Sequence, residues 1–126
     1  MYTENDLSRL VINEAIKIHT NLGPGLLESV YDECLCYKLI QLGLQIERQK
    51  PIPLVYQQIK LDCGFRCDIL VNRKLVVEVK AVDALNDVHF AQVLTYLKLT
   101  ESKLALLINF NVVQLKDGIR RVVRNL

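Results

Sequence analysis

The sequence lacks the features of exported and membrane-spanning proteins. No apolar run approaches the ~20 residues that cross a bilayer, which excludes a membrane helix. The opening stretch, MYTENDLSRL, is polar and acidic, without the basic start and apolar centre of a signal peptide. No run of Lys or Arg forms a basic tail; the nearest is Arg120, Arg121 and Arg124. The net charge is only +2, which permits a nucleic-acid partner without requiring one. Repeats, low-complexity tracts and linkers are absent. Cys34, Cys36, Cys63 and Cys67 contain no CxxC. Cys34 and Cys36 sit two apart in a helical pattern and so diverge by roughly 160°. That spacing disfavours zinc and iron–sulfur sites and leaves buried thiols that act as small hydrophobes. What remains is a chain of 126 residues, 51% apolar. The expectation is one soluble, cytoplasmic domain over residues 1–126 with a real core.

The apolar spacing predicts a helix from about Glu4 to Asn21, with Leu7, Leu10, Val11, Ala15, Ile18 and Leu22 near one face. Gly23-Pro24-Gly25 ends it. A second helix is predicted from about Leu26 to Leu42, with Leu27, Val30, Tyr31, Cys34, Leu35 and Leu42 inward and Gly43 closing it. The period then shortens. Gln45 to Gln57 reads as extended, with Pro51 and Pro53 marking an edge strand. Ile59–Cys63 reads as a short strand, and Phe65–Val71 and Leu75–Val82 as a hairpin about Asn72-Arg73-Lys74. A helix over Asn86–Leu99 should turn Val88, Ala91, Leu94 (or Val93) and Leu97 inward. Leu104–Phe110 has the continuous apolar character of a buried strand. Val112–Lys116 and Ile119–Val123 suggest two last strands about Asp117-Gly118. The order α, α, several β, α, β, β implies a mixed α/β (α+β) domain, one sheet with helices against it.

Chemistry concentrates at Glu78-Val79-Lys80. In a strand Glu78 and Lys80 share a face, while Val77, Val79 and Ala81 take the other. Alone, the pair is most simply a surface salt bridge. Asp68, however, lies on the neighbouring predicted strand between Cys67 and Ile69, where Asp is disfavoured. A three-residue turn that sets Val71 opposite Leu75 would bring Asp68 opposite Glu78. Paired carboxylates repel, and a divalent cation relieves them. Mg²⁺ prefers carboxylate and water oxygens, so Asp68 and Glu78 are candidate metal ligands. Lys80 would orient the attacking water or stabilise charge developing on a phosphate. Glu28 borders the apolar stripe of its helix. Alone it is a helix N-terminal acid favoured by the macrodipole; with the other carboxylates it becomes a third candidate for metal or water. Tyr31, one turn on, is expected to pack beneath Glu28 or hydrogen-bond to it. Gln92 and Tyr96, at i and i+4, share a helix face with His89. These three residues are candidate nucleic-acid or accessory contacts.

An Asp followed by ExK and then QxxxY resembles the PD-(D/E)XK nuclease superfamily, particularly its RecB-like branch. With GxxExxY at Gly25, Glu28 and Tyr31, the chain resembles the small GxxExxY proteins of that superfamily from about Leu10 to Leu115. The resemblance implies a restriction-endonuclease-like αβββαβ core, a Mg²⁺ (or Mn²⁺) cofactor and phosphodiester hydrolysis, with DNA as the expected partner. It places Asp68, Glu78 and Lys80 at the catalytic positions, Glu28 as the helix acid, and Gln92 and Tyr96 in QxxxY. Cys67 stands where the superfamily's name has Pro. His19 matches an upstream histidine of some RecB-like nucleases, though a helix-end role is the plainer reading. The alternative is a nuclease-like module that binds nucleic acid or protein with little or no turnover. A homodimer is expected, because two-fold assembly enlarges a small binding surface.

Overall fold

The computed structural model describes the chain except for the side chains of residues 62–65, which include the candidate thiol Cys63. Helices α1 (Glu4–Leu22) and α2 (Glu28–Gln41) come first, followed by strands β1 (Ile46–Tyr56), β2 (Ile59–Val71) and β3 (Leu75–Lys80). Helix α3 (Asp87–Thr100) leads to β4 (Leu104–Asn109), a 3₁₀ turn at Leu115–Gly118 and β5 (Ile119–Val123). The five strands form one mixed sheet in the order β1-β2-β3-β4-β5. Among the described residues only β3 and β4 pair in parallel, and α3 makes the crossover between them. This is the mixed α/β architecture expected from the sequence. No helix among the described residues is long and apolar enough to cross a membrane.

Strand alternation divides the core. Ile69, Val71, Leu75, Val77, Val79, Leu104, Leu106 and Ile108 pack under α1 and α2. Leu70, Val76, Ala105 and Leu107 pack with Val93, Tyr96 and Leu97 of α3. Helix α1 starts with a capping box at Thr3 and Asp6, which satisfies otherwise unpaired backbone N–H groups. Leu7, Val11, Ala15 and Ile18 are buried as their spacing predicts, whereas Leu22 is exposed.

Four expectations need correction. In α2 the buried residues are Tyr31, Asp32, Leu35, Cys36 and Leu39, while Leu27, Val30 and Leu42 are exposed. The helix is rotated because Asp32 faces inward to meet Arg48 of β1. In α3, Val93, Tyr96 and Leu97 face the sheet and leave Val88, Ala91 and Leu94 exposed. The two short segments around residues 59 to 71 are one strand, β2. Residues 112–116 do not form a strand, because Leu115 is buried at the start of the 3₁₀ turn and β5 pairs instead with β4.

Gly118 explains that last arrangement. A Cβ at this position would collide with the backbone carbonyl oxygen of Asn109. Gly118→Ala is therefore expected to destabilise the fold by about 1–3 kcal/mol, the usual range for overpacking. Urea denaturation measures this; an unchanged midpoint would mean that the turn yields freely.

Candidate active site in the cleft between the second and third strands

The β2–β3 hairpin fixes the site. Asn72 and Arg73 take left-handed conformations, φ 50° and 55°, which Asn tolerates well. Asn72 exchanges hydrogen bonds with the Gln45 backbone at 2.7 and 2.8 Å, and the Lys74 N–H donates to the Val71 carbonyl at 2.9 Å. The turn thus has three residues with Val71 opposite Leu75, and the pairing Ile69↔Val77 leads on to Asp68 and Glu78.

At Asp68 the backbone ladder gives way to side chains. The Asp68 N–H donates to Glu78 Oε1 at 3.1 Å, and the Val79 N–H donates to Asp68 Oδ2 at 2.9 Å. Each carboxylate therefore caps the other strand in the gap between β2 and β3. Alternation also breaks here: Ile69 belongs to the α1–α2 side of the core, yet Cys67 packs with the α3 side. On β1 the pairs Arg48↔Ile69 and Lys50↔Cys67 flank Gln49, which sits at φ 49°. Such a conformation costs a non-glycine residue about 1–3 kcal/mol and is characteristic of functional sites.

Glu78 is 1% exposed. Burial, reinforced by the Asp68 charge and a hydrogen bond shared between the two carboxyls, pushes its pKa up to about 9. Metal-free, Glu78 holds its proton near neutrality. Lys80, half-buried on the same strand, opposes the shift. Its position is secured from β4: the Phe110 N–H donates to the Lys80 carbonyl at 2.9 Å, and the buried Asn109 side chain bonds both the N–H and the C=O of Val82.

Glu28 is the first residue of α2 and remains exposed. Its carboxyl is shifted upward by partial desolvation and by Asp68, against the pull of Lys80 and the Ala81 N–H. It lines an open hollow of about 300 Å³ with Ser29, Asp32, Arg48, Gln49 and Asp68. Asp32, buried, is raised by desolvation and held by Arg48 at 2.9 Å; the same guanidinium nitrogen reaches Glu33 at 2.8 Å. Asp32, Arg48 and Gln49 escape the sequence reading. Glu28 and Asp32 are nevertheless i and i+4 on one helix face, a spacing that could have revealed Asp32.

On the other side of the sheet Tyr96 is buried, and its hydroxyl is pushed up to about 12, first by burial and then by Glu78 and Asp68. It lies within the field of the carboxylate pair. Gln92, one turn earlier, is half-buried.

Two accessory candidates are bonded to nearby backbone groups. Tyr31 is buried and stacks on Phe110 at 4.4 Å. Its hydroxyl donates to the Gly23 carbonyl at 2.6 Å and accepts from the Leu26 N–H at 3.1 Å. It thus binds the turn before α2, not the Glu28 carboxylate. Tyr31→Phe leaves the Gly23 carbonyl without that donor and is expected to cost about 1–2 kcal/mol of stability. Chemical denaturation reads this; no loss would mean that water replaces the hydroxyl. His89 is committed to the α3 cap, its Nδ1 accepting from the Asn86 N–H at 3.1 Å. His19 Nε2 lies 2.8 Å from the Val112 carbonyl oxygen at the end of α1, the helix-end role. Cys36 and Cys67 are buried thiols, Cys36 pushed up to about 12 chiefly by desolvation, Cys67 likewise raised; Cys34 is half-buried.

A divalent cation fits the pair chemically. Two adjoining carboxylates, one of them buried and reluctant to ionise alone, offer the hard oxygen donors that Mg²⁺ prefers. Among the described residues no group of three His, Cys, Asp or Glu side chains closes into a ready cage. The donor set therefore suits an ion that keeps several waters, as Mg²⁺ does, better than a four-coordinate structural zinc.

The fold is a mixed α/β domain that sets the Asp68–Glu78 pair and the Lys80 charge beside the gap between β2 and β3. The PD-(D/E)XK nuclease superfamily matches the chain over residues 5–122, and the chain belongs to that superfamily. Comparisons with curated proteins and with solved structures gave no match.

Proposed function

We propose that the protein is a Mg²⁺- or Mn²⁺-dependent nuclease that hydrolyses phosphodiester bonds in DNA, of the GxxExxY type suggested by Gly25, Glu28 and Tyr31. The observation that carries this reading is the reciprocal bonding of Asp68 and Glu78 across the β2–β3 gap, with Lys80 on the same strand as Glu78.

Asp68 and Glu78 would hold a Mg²⁺ ion, which when bound would polarise the phosphate and lower the pKa of a water at neutral pH. The N–H groups of Asp68 and Val79 fix the carboxylates so that they do not swing into solvent. Lys80 places a fixed positive charge where phosphate charge grows. Glu28 orients water at the mouth of the hollow. Tyr96, buried on the α3 side, braces the carboxylate pair from behind, and half-buried Gln92 lies one turn from it.

The test is an assay on single-stranded, double-stranded and branched DNA with Mg²⁺ or Mn²⁺, with Glu78→Ala as control. Cleavage of at least one substrate, lost in the variant, supports the reading. Nucleic-acid binding without cleavage would favour the alternative, a nuclease-fold binding module; the small hollow and modest charge speak for that second reading.

A further inference from the structure

The hollow beside the carboxylate pair is lined by Glu28, Asp32 and Asp68, and Arg48 is the one cation among its lining residues. A nucleic-acid backbone entering here meets three carboxylates, so the placement of that cation matters.

A local break in β1 puts Arg48 there. Arg48 pairs with Ile69, which belongs to the α1–α2 side of the core. Lys50 pairs with Cys67, on the α3 side, and bonds Glu47 at 2.7 Å. In an unbroken strand positions two apart share a face. Gln49 lies between the two cations at φ 49°, at the position that the register sets opposite Asp68. Its left-handed backbone separates them, turning Arg48 toward α2 and the hollow and Lys50 away from it.

The bonding of Arg48 leaves donors to spare. Its Nη2 donates to Asp32 Oδ1 at 2.9 Å and to Glu33 Oε1 at 2.8 Å. A guanidinium carries five N–H donors, two on each Nη and one on Nε. Among the described residues Nη2 is the nitrogen of Arg48 that hydrogen-bonds, so both donors of Nη1 and that of Nε stay open. A guanidinium serving only to neutralise Asp32 would do so best through two parallel N–H groups. Here one nitrogen is anchored by two acids, and the Arg48 side chain remains 37% exposed against 9% for Asp32.

We infer that Arg48 is a substrate-binding residue, its Nη1 donating to a phosphate oxygen of the DNA backbone in the hollow, with Asp32 and Glu33 holding the guanidinium in place. This rests on the nuclease function proposed for the cleft, and it adds the contact that grips the strand beside the Asp68–Glu78 pair. Arginine suits the task because it keeps donors beyond the nitrogen tied by its anchors, whereas a lysine has one nitrogen.

Binding rather than cleavage is the readout: fluorescence anisotropy of labelled single- and double-stranded DNA, with Ca²⁺, which takes the same oxygen donors, in place of Mg²⁺. The main variant combines Arg48→Gln with Asp32→Asn. It removes one charge of each sign, so net charge is unchanged and no buried carboxylate loses its partner; urea denaturation checks that it folds. It should bind DNA at least fivefold more weakly than the parent. The slope of log affinity against log salt should shrink by about 0.7 for single strands or about 0.9 for duplex, the value of one phosphate contact. Arg48→Lys, which keeps a charge against Asp32, should lose affinity in the same direction, and it decides alone if the double variant does not fold. Parent-like affinity and slope in these variants would make Arg48 a counter-ion of Asp32 and overturn the inference while leaving the nuclease function standing. A parent that binds no DNA overturns both together.

Discussion

Lys80→Ala should lower cleavage by roughly two to three orders of magnitude while leaving divalent-metal affinity intact or improved. The loss is that of one preorganised charge acting on the transition state. Lys80 pulls down the pKa of both Glu28 and Glu78, so its charge reaches the carboxylates that would hold the cation. Removing it relieves repulsion of the metal. Asp68→Ala and Glu78→Ala should behave differently, losing binding and cleavage together. The side-by-side readouts are a metal titration and a single-turnover cleavage rate. If Lys80→Ala cuts as fast as the parent, its catalytic assignment is wrong.

The metal-free protein should lose stability as pH rises from about 5 toward about 9, and metal should restore it. Unfolded, Glu78 ionises near 4.5; folded, it keeps its proton up to about 9. Between those values the native state binds one more proton than the unfolded state. Stability therefore falls with pH, by up to roughly 1.4 kcal/mol per unit from Glu78. The effect is fully avoided below the unfolded value. Glu78→Gln, which cannot ionise, should flatten the profile. Added Mn²⁺ should raise the melting temperature more at pH 8 than at pH 5, with release of about one proton on binding. Differential scanning calorimetry across this range checks the slope. A metal-free profile as steep in Glu78→Gln as in the parent would remove Glu78 as its source.

Much of this was visible in the sequence because strand and turn chemistry are local. Asn72-Arg73-Lys74 between β-branched runs sets the hairpin register, and that register brings Asp68 to Glu78. The run Leu104–Phe110 reads as buried because every residue in it is. What failed depended on partners distant in sequence. The rotation of α2 follows from Arg48, 16 residues beyond Asp32, and no apolar period encodes an inward carboxylate. In α3 both Val93 and Leu94 suit the core, and only packing against the sheet selects Val93. The spacing of Tyr31 from Glu28 does not reveal its stack on Phe110 or its bond to the Gly23 carbonyl. Residues 112–116 have strand composition, but the contact of Gly118 with the Asn109 backbone decides otherwise.

Calorimetric titration of Mn²⁺ at pH 8 into the metal-free parent and Glu78→Gln tests the central claim most directly. The expected result is one saturable site in the parent, weakened at least tenfold in Glu78→Gln, although both proteins are folded. No binding by the parent, or equal binding by the two, would contradict the assignment of Asp68 and Glu78 as a metal site.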